Sequence, residues 1–188
     1  MSVRPVRAPD RRRQELLDAL VEIVLRDGFE RLSVEDMARR LGCSKSTLYV
    51  VAESKDLIVA AAVRAFFRRA TDRVETEVRR TSDPVARIGT YLESIATELS
   101  AASPRFFADL ETHPSAGAVY RHNTEAAADR VRRLLADAGD LDVDPVFVGA
   151  VVTLVMEGIH RGRVTEATGL GDAEAYRNLA RLLTAGLR

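Results

Sequence analysis

Every apolar repeat in this sequence has the three- and four-residue spacing of an α-helix. In the first stretch, residues 10–26, Leu16, Leu20, Ile23 and Val24 fall on one helical face. No run alternates apolar and polar residues as a half-buried strand does, and no tight hairpin turn joins two β-branched runs. The sequence therefore predicts an all-α fold.

Capping residues, prolines and glycines divide the chain into about nine helices. The predicted helices cover residues 10–26, 34–41, 45–49, 55–80, 84–101, 104–112, 116–138, 145–164 and 172–187. We expect three parts: a flexible basic arm (1–9), a small head (10–54) and a larger helical body (55–188). The long helix 55–80, a rod of roughly 39 Å, links the head to the body.

Charge and composition exclude several classes of protein. The chain has 28 basic and 28 acidic residues, which excludes a uniformly basic nucleic-acid coat but not a local basic site. Residues 1–13 provide such a site, with five arginines and one aspartate. The single cysteine excludes an internal disulfide, and the longest apolar stretch is too short to span a membrane. No secretory signal is recognisable. We expect a cytoplasmic protein with no membrane partner.

The most informative stretch is residues 32–49. Ser33 is placed to cap a short helix, with Asp36 three residues later to return the bond. Gly42 ends this helix and permits a sharp turn, and Ser44 caps a second short helix. Two short helices joined by a glycine-containing turn are typical of the helix-turn-helix.

The second short helix carries the side chains that a DNA reader needs. Leu48 can face the core while its neighbours point outward and offer hydroxyl groups, a cation and an aromatic ring. The predicted DNA-binding residues are Ser33, Ser44, Lys45, Ser46, Thr47, Tyr49 and Lys55. A cap–helix–glycine–helix pattern also occurs in bundles that bind no DNA. The exposed polar cluster and the basic arm favour DNA.

These residues carry a family resemblance. The run from Ser33 to Tyr49, followed by Ser54-Lys55-Asp56 and preceded by Asp27-Gly28-Phe29, resembles the N-terminal domain of TetR-type (TetR/AcrR) transcriptional regulators. The resemblance covers about residues 10–60. It implies an Ω-shaped homodimer with a three-helix head, a long fourth helix and a ligand-responsive C-terminal domain.

The resemblance also implies roles for individual residues. Lys45, Ser46, Thr47 and Tyr49 match the recognition-helix contacts of the family. Ser33 and Lys55, each at the start of a helix, match positions that hold DNA phosphates.

The sequence departs from the family directly after Tyr49. Val50, Val51 and Ala52 stand where the family usually carries an aromatic residue, a histidine and a phenylalanine. The histidine is a phosphate contact that this chain lacks. Ala52 is much smaller than the phenylalanine that packs the head, so either other side chains fill that space or the head is repacked.

The body contains an apolar helix, residues 145–164, and an amphipathic final helix, residues 172–187. By resemblance these two helices pair with their copies in a dimer, and the alternative is that they pack only within one chain. The predicted interface residues are Val148, Val152, Val155, Gly158, Gly162, Leu179 and Leu182.

A ligand pocket is expected among the middle helices of the body. Its candidate lining combines apolar and polar side chains, as small-molecule pockets do, although aromatic residues at helical spacing are more often core. The candidates are Phe66, Tyr91, Phe106, Phe107, Tyr120, Met156 and His160.

No residue pattern indicates catalysis, a cofactor or a metal. His113, His122 and His160 lack the close spacing of metal ligands, and no nucleophile or phosphate-loop motif is present. We expect a homodimeric DNA-binding regulator of an inverted-repeat operator, a repressor released by an apolar small molecule. The alternatives are a ligand-blind DNA-organising or protein-docking protein, for which the body interior would be filled, and an all-helical enzyme.

Overall fold

The computed structural model describes residues 8–139 and 141–187, and these residues form ten α-helices with no β-strand. The all-α prediction is confirmed. The helices are α1 (Ala8–Asp27), α2 (Val34–Arg40), α3 (Lys45–Leu48), α4 (Lys55–Arg80), α5 (Pro84–Leu99), α6 (Pro104–Thr112), α7 (Pro114–Asp137), α8 (Pro145–His160), α9 (Arg163–Thr168) and α10 (Asp172–Gly186). Most of the predicted arm, residues 1–7, lies outside the described part of the chain.

The tenth helix arises from a break that the sequence analysis did not place. Residues 145–164 were predicted as one helix, but α8 ends at His160 and α9 begins at Arg163. Gly162 lies between them with φ of 69°, a left-handed conformation that glycine adopts without a Cβ clash. The interruption places Gly162, one of the predicted interface residues, outside α8.

The chain forms two compact units. Unit 1 contains the described residues up to 66 together with 103–119, and unit 2 contains residues 67–102 and the described residues from 120 onward. The boundary predicted from the sequence lies at residue 54. Residues 103–119 join unit 1 through polar contacts: the Asp109 carboxylate accepts hydrogen bonds from the backbone N–H groups of Phe29 (2.5 Å) and Glu30 (2.9 Å), and Ser103 N–H donates to the Leu25 carbonyl (2.8 Å).

Aromatic rings form the centre of unit 1. The Phe106 ring packs edge-on against Phe29 and Phe66, with centroid distances of 6.0 and 5.8 Å. The buried His113 ring lies 5.5 Å from Phe29, and its Nδ1 accepts a hydrogen bond from the Ala116 N–H. This cluster fixes α6 and the first half of α4 against the turn between α1 and α2.

Unit 2 is built on the long contact between α5 and α10. Gly89 of α5 permits this contact, because a Cβ there would overlap the Thr184 hydroxyl of α10. The helix α8 packs against α10 and buries Val152 and Met156 completely. None of the described helices is long and apolar enough to cross a lipid bilayer.

Candidate nucleic-acid interface and ligand cavity

Two side-chain caps build the helix-turn-helix. Ser33 Oγ accepts a hydrogen bond from Asp36 N–H at 3.1 Å, and the Asp36 carboxylate accepts from Ser33 N–H (3.1 Å) and Oγ–H (2.6 Å). These bonds from Ser33, together with the nearby Arg39 guanidinium, hold the pKa of Asp36 at about 2. Gly42, with φ of 62°, provides the turn that leads into α3.

The hydroxyl groups at the start of α3 bond to one another. Ser44 Oγ accepts a hydrogen bond from Thr47 N–H at 3.1 Å. It also lies 2.8 Å from both Ser46 Oγ and Thr47 Oγ1. Ser33 and Ser44 therefore act first as helix caps, and Ser46 and Thr47 retain hydrogen-bonding capacity because each hydroxyl is both donor and acceptor.

The predicted reading residues lie on the surface around α3. Leu48 is completely buried and anchors the helix, whereas Lys45, Ser46 and Tyr49 are exposed and Thr47 is half-buried. The Tyr49 side chain is 44% exposed, and the following Val50 is 53% exposed. We define the side chains of residues 45, 46, 47, 49 and 50 as the α3 surface.

Both lysines of unit 1 already have partners within the chain. Lys45 Nζ lies 2.8 Å from Glu35 Oε1, and this contact raises the pKa of Lys45. Lys55 Nζ donates to the Glu30 carbonyl at 2.8 Å and so ties the start of α4 to the turn after α1. Either ammonium group has three protons, so it can bind a phosphate as well. The pairing of Lys45 with Glu35 was not predicted from the sequence.

The residues that replace the family's usual motif have separate roles. Val51, at the position of the usual histidine, is buried, and its carbonyl accepts a hydrogen bond from Arg13 Nη2 at 3.1 Å. Val51 therefore contributes to the head core, whereas Ala52 is only half-buried. The contact from Arg13 joins α1 to the end of the α3 surface.

Unit 2 contains a cavity of about 180 Å³ between α4, α5, α7 and α10. Tyr91 and Tyr120, two of the predicted pocket residues, line it. Its apolar wall includes Phe67, Val74, Ile95, Leu99 and Ala127. The Phe67 ring stacks on Tyr120 at 5.3 Å, and the Tyr120 hydroxyl donates to Asp172 at 2.6 Å.

The other predicted pocket residues lie elsewhere. Phe66 and Phe106 belong to the aromatic core of unit 1, with Phe107 beside Phe106. Met156 is completely buried within unit 2 and does not line the cavity. The helical spacing that suggested these side chains for a pocket is equally that of a packed core.

His160 lines a second, more polar depression of about 340 Å³. Its ring lies 4.2 Å from the Tyr120 ring, edge to face. Its Nδ1 is buried and bonds to no described residue. Burial, followed by the charges of Arg121 and Arg161, lowers the pKa of His160, so the neutral ring is favoured in the folded chain.

The charged groups of the cavity were missed by the sequence analysis. Arg130 of α7 binds Glu75 of α4 through two hydrogen bonds of 2.7 and 3.0 Å, and both side chains are 24% exposed. Arg133 and Tyr176 also line the cavity. Burial and the Glu75 charge raise the pKa of Tyr91, opposed by Arg130 and Arg133. No local signal identifies such a set, since Glu75 and Arg130 are 55 residues apart.

The structure changes the set of residues available for a dimer interface. Val148, Val152, Gly158 and Leu179 are covered by their own chain, and a Cβ at Gly158 would meet the Val164 side chain. Val155 is half-buried and Leu182 is 72% exposed. The exposed large apolar side chains of α8 and α10 are Val146, Phe147, Val151, Leu154 and Leu182, which we call the apolar face.

No group of three or more potential metal ligands occurs within the described ranges. Cys43 is a free thiol in the turn between α2 and α3. The described residues thus form two features suited to binding: the polar α3 surface of unit 1 and the charged, partly apolar cavity of unit 2.

A known protein family matches this chain in sequence over the helix-turn-helix, and solved structures match it in fold over nearly the whole chain. Residues 16–62 match the family of bacterial regulatory proteins, tetR family. No curated protein sequence matches the chain. Among solved structures, the fatty acid degradation regulator FadR from Bacillus halodurans is 14% identical, with a TM-score of 0.68 over 98% of this chain and 99% of that one.

Two further structures show the same similarity. A TetR transcription regulator from Haloarcula marismortui is 19% identical, with a TM-score of 0.71 over 94% of this chain and 98% of that one. A protein described as a transcriptional regulator from Saccharomonospora viridis, solved in complex with choline, is 17% identical, with a TM-score of 0.68 over 92% and 95%. The predicted resemblance is confirmed: the chain has the fold of TetR-family transcriptional regulators, and its helix-turn-helix segment matches the family model.

Proposed function

We propose that this protein is a DNA-binding transcriptional regulator that reads its operator with the α3 surface. The observation that carries the proposal is the placement of Lys45, Ser46, Thr47 and Tyr49 around a buried Leu48, within the segment that matches the family. Hydroxyl, ammonium and phenol groups can contact base edges and phosphates. We further propose that the protein acts in the cytoplasm.

The seven predicted DNA-binding residues have different proposed roles. Lys45, Ser46, Thr47 and Tyr49 contact the major groove or its edges, and Lys55 adds a phosphate contact beside its bond to Glu30. Ser33 and Ser44 support the interface by capping α2 and α3. The exposed hydroxyls of the two caps remain available to phosphate oxygens.

The apolar face supports dimerisation. Phe147 and Leu154 of α8 and Leu182 of α10 are more than 60% exposed, and apolar groups in such number on one chain favour burial against a partner. A two-fold dimer presents two recognition helices, and half-sites one turn apart require a separation of about 34–36 Å. We therefore propose a homodimer that binds an inverted repeat.

The cavity supports control by a small molecule. A ligand that binds one body conformation more tightly must weaken DNA binding by the same factor by which DNA weakens ligand binding. Helix α4 carries Lys55 in unit 1 and Glu75 at the cavity, so it is the proposed lever. The choline complex of the Saccharomonospora viridis protein supports small-molecule binding by this fold. We propose a repressor that its ligand releases.

Selection of duplexes from a random DNA library by the purified protein tests the proposal. We expect enrichment of an inverted repeat at moderate salt, and one dimer bound per enriched duplex by light scattering. A pool without any enriched sequence, obtained also after unfolding and refolding to remove carried ligand, would contradict sequence-specific binding.

A further inference from the structure

The cavity of unit 2 contains a combination of charges that narrows the chemistry of its ligand. Two carboxylates line it, Glu75 and Glu98, and both are neutralised by arginines. Arg130 binds Glu75 through two hydrogen bonds, and Arg73 binds Glu98 in the same two-pronged way. A cationic ligand would therefore meet carboxylates whose charge is already balanced.

Arg133 differs from these arginines. It lines the cavity, its side chain is exposed, and no carboxylate in the described ranges lies within ion-pair distance of it. Its charge reaches the interior, because it opposes the rise in the pKa of the buried Tyr91. The cavity therefore carries one uncompensated positive charge beside an apolar interior, an arrangement that fits a ligand with one negative charge.

The hydrogen-bonding groups of the interior agree with this assignment. Neither Tyr91 nor Tyr176 donates its hydroxyl to another described residue, although both line the cavity. A carboxylate is acceptor-only, so it can use an arginine and a tyrosine donor together. Tyr120 is not available in the same way, because its hydroxyl donates to Asp172.

The size of the cavity limits the rest of the ligand. A cavity of about 180 Å³ is slightly larger than the ~150 Å³ that encloses benzene in an engineered protein core. Phe67, Val74, Ile95 and Leu99 provide apolar walls for such a body. A ligand with a long chain or a large headgroup would extend beyond this volume.

We propose that the cavity binds a small carboxylic acid with an aromatic or alicyclic body, its carboxylate held by Arg133 and its body among Phe67, Val74 and Leu99. The inference rests on the proposed control of this regulator by a small molecule and names the class of that molecule. It makes Arg133 the residue that selects acids over alcohols and amines of equal size.

Titration calorimetry of the full chain with four probes tests the inference. The probes are benzoate, cyclohexanecarboxylate, benzyl alcohol and benzylammonium. We expect saturable binding of at least one of the two acids at one site per chain, and much weaker binding of the alcohol and the amine. Binding of neither acid, or tighter binding of benzylammonium, would overturn the proposal.

Three variants locate the site. R133Q should weaken acid binding about tenfold, the loss of one charge-assisted hydrogen bond, and leave the weak alcohol affinity unchanged. R132Q is the matched control, since Arg132 is the neighbouring exposed arginine on α7 and lines the other depression. Ala127→Phe should abolish binding of all probes by filling the cavity, provided that its circular dichroism spectrum matches the wild type. Equal acid affinities of R133Q and wild type would contradict the role of Arg133.

DNA binding separates this inference from the proposed function. If the protein binds its duplex but neither acid, the ligand class is wrong and the regulator proposal stands. If an acid binds but does not release the duplex, the site stands and release by this ligand fails.

Discussion

The α3 surface and the cavity use the same kinds of polar groups in opposite ways. In the helix-turn-helix, the polar side chains are exposed or half-buried, and the capping serines bond to residues three positions later, as Ser33 does to Asp36 and Ser44 to Thr47. In the cavity, the ion pairs join helices across long separations, 55 residues for Glu75 and Arg130, and Arg133 is the exposed member of the charged lining residues. The first is a surface whose shape is set locally, and the second exists only when unit 2 is folded.

The difference indicates how each region responds to change. Loss of one exposed side chain on the α3 surface should remove one proposed DNA contact and leave the fold intact, since surface substitutions cost within about 0.5 kcal/mol. Loss of a cavity group changes the packing or charge of unit 2.

Charging the apolar face should have the largest effect. The double variant Leu154→Glu/Leu182→Glu places two carboxylates where we propose a dry dimer contact, so the species in solution should fall to the 20.7 kDa monomer. Because two linked heads bind DNA 10²–10⁴-fold better than one, affinity for the enriched duplex should fall at least about hundredfold. Light scattering and fluorescence anisotropy measure the two quantities. Glu166→Lys, an exposed change on α9, is the control, and a double variant that stays dimeric would reject this interface.

Removing the Tyr49 side chain should have the next largest effect. Tyr49→Ala should weaken duplex binding about tenfold or more for each head, since a specific base or phosphate contact contributes roughly 1–3 kcal/mol. Tyr49→Phe separates the ring from the hydroxyl. Both variants should keep the thermal midpoint of the wild type, because Tyr49 is 44% exposed. Wild-type affinity in Tyr49→Ala would remove this residue from the interface.

The salt dependence of binding tests the charge on the α3 surface. Lys45→Ala should make the slope of log affinity against log salt shallower by about one unit for each half of the dimer, the value for one lost phosphate contact. Glu35→Gln provides the opposite change, since it releases Lys45 from its ion pair and should raise affinity at low salt. An unchanged slope in Lys45→Ala would assign its charge to the pair with Glu35 alone.

Removal of the Ser33 cap of α2 tests whether local hydrogen bonds stabilise the helix-turn-helix. Ser33→Ala removes the acceptor for Asp36 N–H and should cost about 1 kcal/mol, equivalent to roughly 2–4 °C in the thermal midpoint. Ser46→Ala is the matched control, because Ser46 is exposed and caps no helix. Equal midpoints for the two variants would show that the Ser33 cap contributes nothing measurable.

The smallest expected effect is a pH dependence from unit 2. The pKa of His160 is lowered in the folded chain, so the unfolded chain binds the proton more readily and stability falls as pH drops through the ordinary histidine pKa near 6.5. His160→Gln should flatten the curve of thermal midpoint against pH between 7.5 and 5.5. His122→Gln, on an exposed position of α7, should leave that curve unchanged. If the curve of thermal midpoint against pH is the same in His160→Gln as in wild type, the lowered pKa of His160 is contradicted.

Features that depend on local hydrogen bonds were predictable from the sequence, and features that depend on long-range contacts were not. The caps of Ser33 and Ser44, the turn at Gly42 and the buried Leu48 were predictable because each depends on residues within one or two helical turns. The break at Gly162 was not, since an isolated glycine is also tolerated inside a helix. The cavity charges were also unpredictable: helical periodicity places Glu75 and Arg130 on their helices but says nothing about which helices meet.

The pocket and interface residues illustrate the limit most clearly. Phe66 and Phe106 have the aromatic character of a pocket but pack into the core of unit 1. Val152 and Leu179 have the apolar character of an interface but are buried by their own chain. Only the three-dimensional packing separates apolar residues that face inward from those, such as Leu154, that face solvent.

The most direct test of the proposed function is the affinity of the enriched duplex for wild type and for Lys45→Ala/Tyr49→Ala. Arg79→Ala, which removes an equal charge from an exposed position in unit 2, is the control. We predict a loss of at least about hundredfold in the double variant, with the dimer and the thermal midpoint retained and the control unchanged. Equal affinities for wild type and the double variant would contradict reading of DNA by the α3 surface.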